Sequence, residues 1–172
     1  MMNTSEMKVA QLKEKIAQLE KENQELKTLL NHHENDESFG ILTRKGLDSR
    51  LKEIEKERVV CFLDLDNMKS LNEVFGYKEV DKKVKTLFSC IRESDVIIGR
   101  YFSGDEIVII LPKEFKNIIL DRLYQKSLDL GLFYTLSHET WIGGSGCDIN
   151  ETINFLAQKV MAIKTKRQKE KV

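Results

Sequence analysis

Residues 59–81 read VVCFLDLDNMKSLNEVFGYKEVD, and this stretch decides the fold. Its first five residues are apolar and lead into Asp64 and Asp66, a pattern that predicts a buried strand ending in two carboxylates. Two helical stretches follow, over residues 67–75 and 78–91, separated by a glycine. The sequence therefore predicts a strand that carries two acidic side chains to its end, where rigid sheets commonly present functional groups.

A second acidic group lies in a predicted β-hairpin further along the chain. Residues 95–102 and 107–111 are rich in β-branched and aromatic residues, and the turn SGDE at residues 103–106 joins them. If this hairpin pairs with the first strand, the two acidic groups converge, and converging carboxylates require a cation or a proton. Magnesium held by carboxylates and phosphate oxygens is a common arrangement in nucleotide chemistry, so the pattern favours such a site.

The remaining segments complete an α/β (α+β) sandwich. Helical patterns are predicted at residues 43–57, 113–130 and 150–166, with a further strand at residues 132–136. After the first of these helices the order is β-α-α-β-β-α-β-α, which predicts helices packed on a central, mostly antiparallel sheet. The Lys/Arg-rich end at residues 164–171 is expected to be a solvated helix end that could offset phosphate charge.

Each acidic motif taken alone also has an ordinary structural explanation. Asp-Asn after a strand is a common helix cap, and Gly-Asp is common turn chemistry. Short motifs are weak evidence when they occur singly. The joint occurrence of the two motifs in a topology that brings them together favours the functional interpretation.

The first 35 residues carry a different pattern, that of a leucine-zipper-like coiled coil. Apolar residues alternate by three and four over residues 9–30, with leucine at one core position and Val9, Ile16 and Asn23 at the other. β-branched residues opposite leucine favour two parallel strands, and a buried asparagine penalises other registers. We therefore predict a parallel homodimer through this segment.

Composition limits the classes of protein that the chain can belong to. With 172 residues, 41% of them hydrophobic, we expect a coiled coil and linker at residues 1–35 and one domain at residues 36–172. Acidic and basic residues both number 28, so the basic excess typical of nucleic-acid-binding proteins is absent. Cys61, Cys90 and Cys147 form no metal motif and are expected to be free thiols. No segment resembles a signal peptide or a membrane span, so we expect a cytoplasmic protein without membrane association.

Residues 36–166 resemble a GGDEF domain, the diguanylate cyclase family. Residues 64–77, DLDNMKSLNEVFGY, follow the family pattern D-x-D-x-F-K-x-x-N-D-x-x-G-H, and Asp81 falls at the aspartate that follows it. SGDEI at residues 103–107 stands in for the signature itself. DESFGILTR at residues 36–44 loosely resembles the opening D-x-L-T-G-L-x-N-R. The resemblance implies a palm-like nucleotidyl cyclase fold.

The resemblance also implies a role for each matching position. Asp64, the backbone carbonyl of Leu65 and Asp105 would hold Mg²⁺ or Mn²⁺, and Glu106 would support the second metal position. Asp105 would assist deprotonation of the attacking hydroxyl, so Asp105 and Glu106 are the expected catalytic residues. The expected GTP-binding residues are Asn72 and Asp81 at the guanine edge, Lys69 at the terminal phosphates, and Ser103 and Gly104 in a turn close to the nucleotide.

The implied activity is the condensation of two GTP to cyclic di-GMP and pyrophosphate across a homodimer. Because each domain supplies half of the site, the coiled coil raises the effective concentration of the second half. The alternative is a catalytically inactive GGDEF-like domain that binds GTP or a cyclic dinucleotide and signals through its coiled coil. Two departures motivate it: Glu139 replaces a family glycine, and the ending A-K-x-x-G, in which Lys164 is a further candidate phosphate contact, is poorly kept. A related cyclase with a different nucleotide or product is a third hypothesis.

The segment from Arg92 to Asp95 resembles the family's R-x-x-D product-inhibition site. It lies two residues further from the signature than the family spacing. An even insertion preserves the facing of a strand, so a longer hairpin would keep the active site and displace these two residues. The sequence leaves two interpretations open, an inhibitory site at Arg92 and Asp95 or a helix end with ordinary surface charge.

Overall fold

The chain is described here by a computed structural model. The residues that it describes are 4–102, 104–143, 146 and 148–170. Contacts divide them after His33 into two compact units. The first unit is helix α1, which spans Thr4–Glu34 and confirms the predicted N-terminal helix. Its heptad leucines are exposed, Leu12 to 63% and Leu19 to 50%, as expected for a coiled-coil seam in a single chain. The dimer itself stays a prediction.

The second unit is an α+β sandwich around one sheet. In chain order its elements are β1 (Asn35–Asp36), β2 (Ile41–Leu42), α2 (Arg44–Leu51), β3 (Arg58–Leu65), α3 (Met68–Phe75), α4 (Tyr77–Ser89), β4 (Ile97–Arg100), β5 (Glu106–Leu111), α5 (Lys116–Leu130), β6 (Tyr134–Trp141) and α6 (Ile149–Lys169). Within the described residues the six strands lie in the order β1-β2-β4-β5-β3-β6. All pairings are antiparallel except that of β2 with β4. The predicted fold class is confirmed.

Alternation along β3 divides the hydrophobic core into two layers. Leu63 and Leu65 belong to a cluster shared with α4 and α5, whereas Val60 and Phe62 belong to a cluster shared with α2 and α6. β3 pairs with β5 on one side and β6 on the other, so it is covered on both faces and reads as a continuous apolar run. Because side chains alternate along a strand, Asp64 lies on the same face as Phe62, toward α6.

Several element boundaries differ from the sequence prediction. The helix predicted to end near residue 57 ends at Leu51. β6 extends five residues past its predicted end, to Trp141, because its polar residues pair with β3 while three of them stay exposed at the sheet edge. The pair β1 and β2 was not predicted, since two-residue strands carry no periodic signal. It follows α1 directly, where the Thr43 amide donates to the Glu34 carbonyl at 2.7 Å.

Two further expectations concern cysteines and membranes. Cys61 is buried and Cys90 half-buried, and both are free thiols as predicted, while Cys147 lies outside the described residues. In the described part of the chain, no helix combines the length and apolar character needed to cross a bilayer.

Candidate active site

The pairing of β3 with β5 brings the two acidic groups together. Asp64 lies opposite Glu106 in the antiparallel register. Directly opposite residues have Cβ atoms about 5 Å apart, so the two carboxylates are neighbours on one face of the sheet. One residue further, the Leu65 amide donates to the Asp105 carbonyl at 3.0 Å and holds the hairpin turn against the end of β3. The hairpin therefore pairs with the first buried strand, as the convergence of the two groups requires.

The surroundings of Asp64 oppose its ionisation. Its side chain is 19% exposed. Burial raises the pKa of Asp64 above its usual value, and the charges of Asp105 and Glu106 raise it further. The ammonium of Lys164 acts in the opposite direction, without cancelling the shift. The net effect of these surroundings is to disfavour the charged form of Asp64.

Helix α6 covers the acidic end with basic side chains. The Lys164 ammonium contacts the carboxylate of Asp64 and lies 2.9 Å from that of Asp66. Burial alone would lower the pKa of Lys164, but its hydrogen bonds to the two carboxylates and their charges outweigh that effect and raise it. Arg167 lies 3.9 Å from Asp66 and donates to the Thr135 hydroxyl at 3.0 Å. The result is a network of opposite charges between β3, β6 and α6.

In the sequence, Asp66 stands out only as part of the acidic strand end and Arg167 only as part of the basic segment 164–171, and Thr135 carries no signal. The spacing of Lys164 and Arg167, three residues apart, does predict that both lie on one face of a helix. The expectation of a solvated helix end is wrong for Lys164, whose side chain is only 28% exposed. Its carboxylate partners lie about a hundred residues earlier in the chain, and only the tertiary fold brings them close.

Three of the predicted nucleotide-binding residues, Lys69, Asn72 and Asp81, lie on α3 and α4. Asn72 is half-buried, and its side-chain oxygen is buried with no hydrogen-bond partner among the described residues. Asp81 is half-buried and Lys69 is exposed. Asn67, just before α3, has a left-handed φ of 60° and its side chain makes no cap hydrogen bond, so the helix-cap explanation of this segment is not supported. A buried acceptor without a partner is costly, which makes the Asn72 oxygen a candidate ligand contact.

The hairpin turn is held in place by contacts of the residues beside it. Gly104 is exposed, and a Cβ added there would lie 3.3 Å from the guanidinium of Arg100. Ser103, the other small residue predicted to approach the nucleotide, lies outside the described residues. Buried Tyr101, just before the turn, donates its hydroxyl hydrogen bond to Asn154 on α6. The turn is therefore attached to the same helix that supplies Lys164.

Arg92 and Asp95 lie away from this network. Both are exposed, and both line a cleft of about 510 Å³ together with Arg50 and Arg58. The Arg92 guanidinium packs over Gly40, where a Cβ would come within 2.9 Å of it. The two residues thus share one charged cleft beside α2 and β4.

The acidic site has the residues that a hard cation requires. Across the described ranges, no three His, Cys, Asp or Glu side chains are gathered into a metal centre. The donor set nevertheless suits a hard cation, because Asp64 and Glu106 are neighbouring carboxylates whose like charges a cation would offset. Magnesium is commonly held by one or two carboxylates plus phosphate oxygens. These residues therefore fit a magnesium ion that arrives with a nucleotide.

The structure thus places an acidic strand end beside an acidic hairpin turn on an α+β sandwich. The chain belongs to the GGDEF family. Residues 41–130, 90 of its 172 residues, match the family described as "Diguanylate cyclase, GGDEF domain". No protein with a curated description matches the sequence.

Solved structures share the fold at low sequence identity. The coiled coil and GGDEF domain of DgcB from Caulobacter crescentus, in complex with c-di-GMP, is 17% identical with a TM-score of 0.74, over 91% of this chain and 94% of that one. A microbial GGDEF domain described with cyclic di-GMP is 20% identical with a TM-score of 0.69, over 80% and 94%. The diguanylate cyclase SiaD from Pseudomonas aeruginosa, with its activator SiaC, is 21% identical with a TM-score of 0.62, over 94% and 72%.

Proposed function

We propose that the chain is a magnesium-dependent diguanylate cyclase that condenses two GTP to cyclic di-GMP across a homodimer. The observation that carries the proposal is the register of Asp64 with Glu106 across β3 and β5, next to the turn of the signature. Membership of the GGDEF family supports it. Two of the similar folds are described with cyclic di-GMP, which makes that dinucleotide the natural product to test.

In the proposed reaction each copy holds one GTP and supplies half of the site. The 3′-hydroxyl oxygen of each nucleotide forms a bond to the α-phosphorus of the other, and the bond from that phosphorus to pyrophosphate breaks. Two pyrophosphates leave, and Asp105 assists removal of the hydroxyl proton. Bound Mg²⁺ or Mn²⁺ would neutralise charge on the phosphate oxygens and on the leaving group. The groups that would hold the metal are Asp64, the Leu65 carbonyl, Asp105 and Glu106.

The helices α3 and α4 would select and position the nucleotide. The Asp81 carboxylate can accept from the N–H groups of guanine, and the Asn72 amide can both accept and donate. Adenine has the donor and acceptor reversed at the corresponding edge. A site that binds guanine through hydrogen bonds therefore rejects adenine, because adenine would leave polar groups of the site unpaired. Exposed Lys69 would bind the terminal phosphates, and Ser103 and Gly104 would leave room for the nucleotide at the turn.

The proposal is tested by incubating the purified 172-residue chain with GTP and Mg²⁺ and identifying the product by mass. We expect cyclic di-GMP from the wild type and none from Asp105→Ala. Asp129→Ala, which removes a carboxylate at the exposed end of α5, is the matched control and should stay active. No cyclic dinucleotide at any protein concentration would contradict the proposal, and a different cyclic product would indicate a related cyclase.

The second candidate function is an inactive GGDEF domain that binds GTP or a cyclic dinucleotide and signals through α1. The contact of Lys164 with Asp64 favours it, because a lysine already occupies the neighbourhood of the expected metal. Glu139, at a family glycine position, is ion-paired with Lys159 at 3.5 Å on the surface. GTP binding without turnover, equal in wild type and Asp105→Ala, would support this function over the first.

We also propose that cyclic di-GMP inhibits the enzyme from the cleft that Arg92 and Asp95 share. Arg50 and Arg58 line the same cleft, and guanidinium groups bind phosphates in bidentate fashion. Inhibition of the wild type by added product, lost in Arg92→Ala, is the expected result. Equal inhibition of both proteins would assign these residues to ordinary surface charge.

A further inference from the structure

We propose that Lys164 is an internal counter-ion of the acidic site, competing with a metal ion for Asp64 until nucleotide phosphates arrive and draw the lysine away. The inference rests on the proposed function for the nature of the arriving ligand. The competition between Lys164 and the metal concerns only the protein without nucleotide. It assigns Lys164 two opposite effects, weaker metal binding without nucleotide and stronger nucleotide binding.

The geometry of the ammonium carries the first effect. It contacts Asp64 and lies 2.9 Å from Asp66, and all three side chains are less than a third exposed. At such distances and burial two opposite charges attract strongly, because little water screens them. A divalent cation that binds Asp64 must therefore displace the ammonium or share the carboxylate with it.

The two carboxylates differ in the partners that remain to them when Lys164 moves away. Asp66 keeps other partners, since Thr135 donates to it at 3.2 Å and Arg167 lies 3.9 Å away. Asp64 instead faces Glu106 in the strand register. The departure of the lysine thus exposes Asp64 to like charge unless another cation replaces it. This makes Asp64 the carboxylate over which the ammonium and a metal compete.

The structure also leaves space for the lysine to move. A cavity of about 220 Å³ lies between the sheet and α6. Its lining combines the charged Asp64, Glu106 and Lys164 with apolar side chains, among them Phe62 and Val160, and with the polar Thr165 and Gln168. The ammonium therefore borders an opening rather than a packed interior. Phosphate oxygens entering beside the acidic end would offer it a new negative partner.

The test measures metal binding to the 172-residue chain without nucleotide. Mn²⁺ is titrated and its free concentration is read from its paramagnetic resonance signal, for wild type, Lys164→Met, Lys164→Arg and Lys159→Met. We expect Lys164→Met to bind Mn²⁺ about tenfold more tightly, the effect of removing one nearby competing charge. Lys164→Arg keeps the charge and Lys159→Met removes a lysine of α6 that is paired to Glu139 instead, so both should resemble wild type.

The same proteins are then titrated with GTP by calorimetry, where Lys164→Met should bind more weakly than wild type. If Lys164 only contacted phosphate, its replacement would weaken GTP binding and leave Mn²⁺ binding unchanged. If its role were purely structural, its replacement would tighten the binding of neither. Equal Mn²⁺ affinity of wild type and Lys164→Met, or no measurable binding to either, would overturn the inference. Thermal unfolding checks that the variants fold, and Lys164→Gln provides the same comparison if the methionine variant does not. If Lys164→Met binds Mn²⁺ more tightly but the wild type makes no cyclic dinucleotide, the proposed function is rejected and the counter-ion role of Lys164 is retained.

Discussion

Asp64 on β3 and Glu106 on β5 are direct partners in the antiparallel register, so two carboxylates face each other on one side of the sheet. Like charges directly opposite destabilise a sheet, and burial raises the pKa of Asp64 as well. A fold selected for stability alone would not place these side chains together. Such arrangements are typical of sites where function and stability conflict.

Asp64→Asn should separate these two properties. The pKa of Asp64 is raised in the folded state. The stability that this shift contributes is fully present below the unfolded-state pKa and is lost as the pH rises through the folded-state pKa. Above the folded-state pKa and without metal, the charged side chain therefore lowers stability, and asparagine should keep or raise the unfolding temperature. Cyclase turnover should fall by about two to three orders of magnitude, as when one charge-stabilising group is removed from an active site.

Thermal unfolding and product formation measure the two effects on the same preparation. Asp129→Asn, on the surface of α5, is the control and should change neither. An unfolding temperature several degrees below that of the wild type would show that the carboxylate of Asp64 is needed for the fold.

Asn72→Ala should weaken GTP binding with little effect on stability. The Asn72 oxygen is buried without a hydrogen-bond partner in the described part of the chain, so its removal relieves an unsatisfied acceptor. Losing one hydrogen bond to the base should weaken GTP binding about fivefold to tenfold and narrow the preference over ATP. Calorimetric titration with both nucleotides measures this, with Asn117→Ala on the exposed face of α5 as control. An unchanged ratio of GTP to ATP affinity would remove Asn72 from base recognition.

The core of the fold was predictable because its signals are local. The apolar run before Asp64 belongs to a strand with neighbours on both sides, and such strands are apolar throughout. The second half of β6 is polar because it lies at the sheet edge, and a polar segment lacks the apolar pattern from which strands are predicted. The hairpin of β4 and β5 was predictable in kind, although β4 is shorter than expected and begins at Ile97.

The contacts within the site were less predictable because they join distant segments. The acidic motifs are visible in the sequence, and their meeting follows once β3 and β5 are paired. The approach of Lys164 depends on how α6 packs across the sheet through Ile153, Leu156 and Val160. A helical repeat predicts that such residues share a buried face but does not say which strand end the next turn will reach.

Cys61 should be inert in the folded protein. Burial raises the pKa of its thiol from 9.0 to about 12, so the reactive thiolate is scarce at pH 8. In a Cys90→Ala, Cys147→Ala background, alkylation by iodoacetamide should occur only as fast as the protein unfolds, and urea should accelerate it. The same shift implies that stability declines as the pH rises above 9, because the unfolded chain then releases the proton first. Labelling at the rate of a free thiol in native buffer would contradict the buried position of Cys61.

Leu19→Asp should uncouple the two halves of the proposed active site. Leu19 is a core position of the heptad pattern and is half-exposed in the single chain, so a dimer would bury it and a charge there would oppose association. Lys21→Asp puts the same residue on the outer face of α1, where the native side chain is 80% exposed, and provides the matched control. Sedimentation should show a monomer for Leu19→Asp and a dimer for the control.

A dimer keeps its second half-site at an effective concentration in the millimolar range, whereas free monomers must meet by diffusion. Specific activity of Leu19→Asp should therefore rise with protein concentration, while that of the wild type stays constant. Constant activity of a monomeric variant at nanomolar concentration would mean that α1 does not assemble the catalytic site.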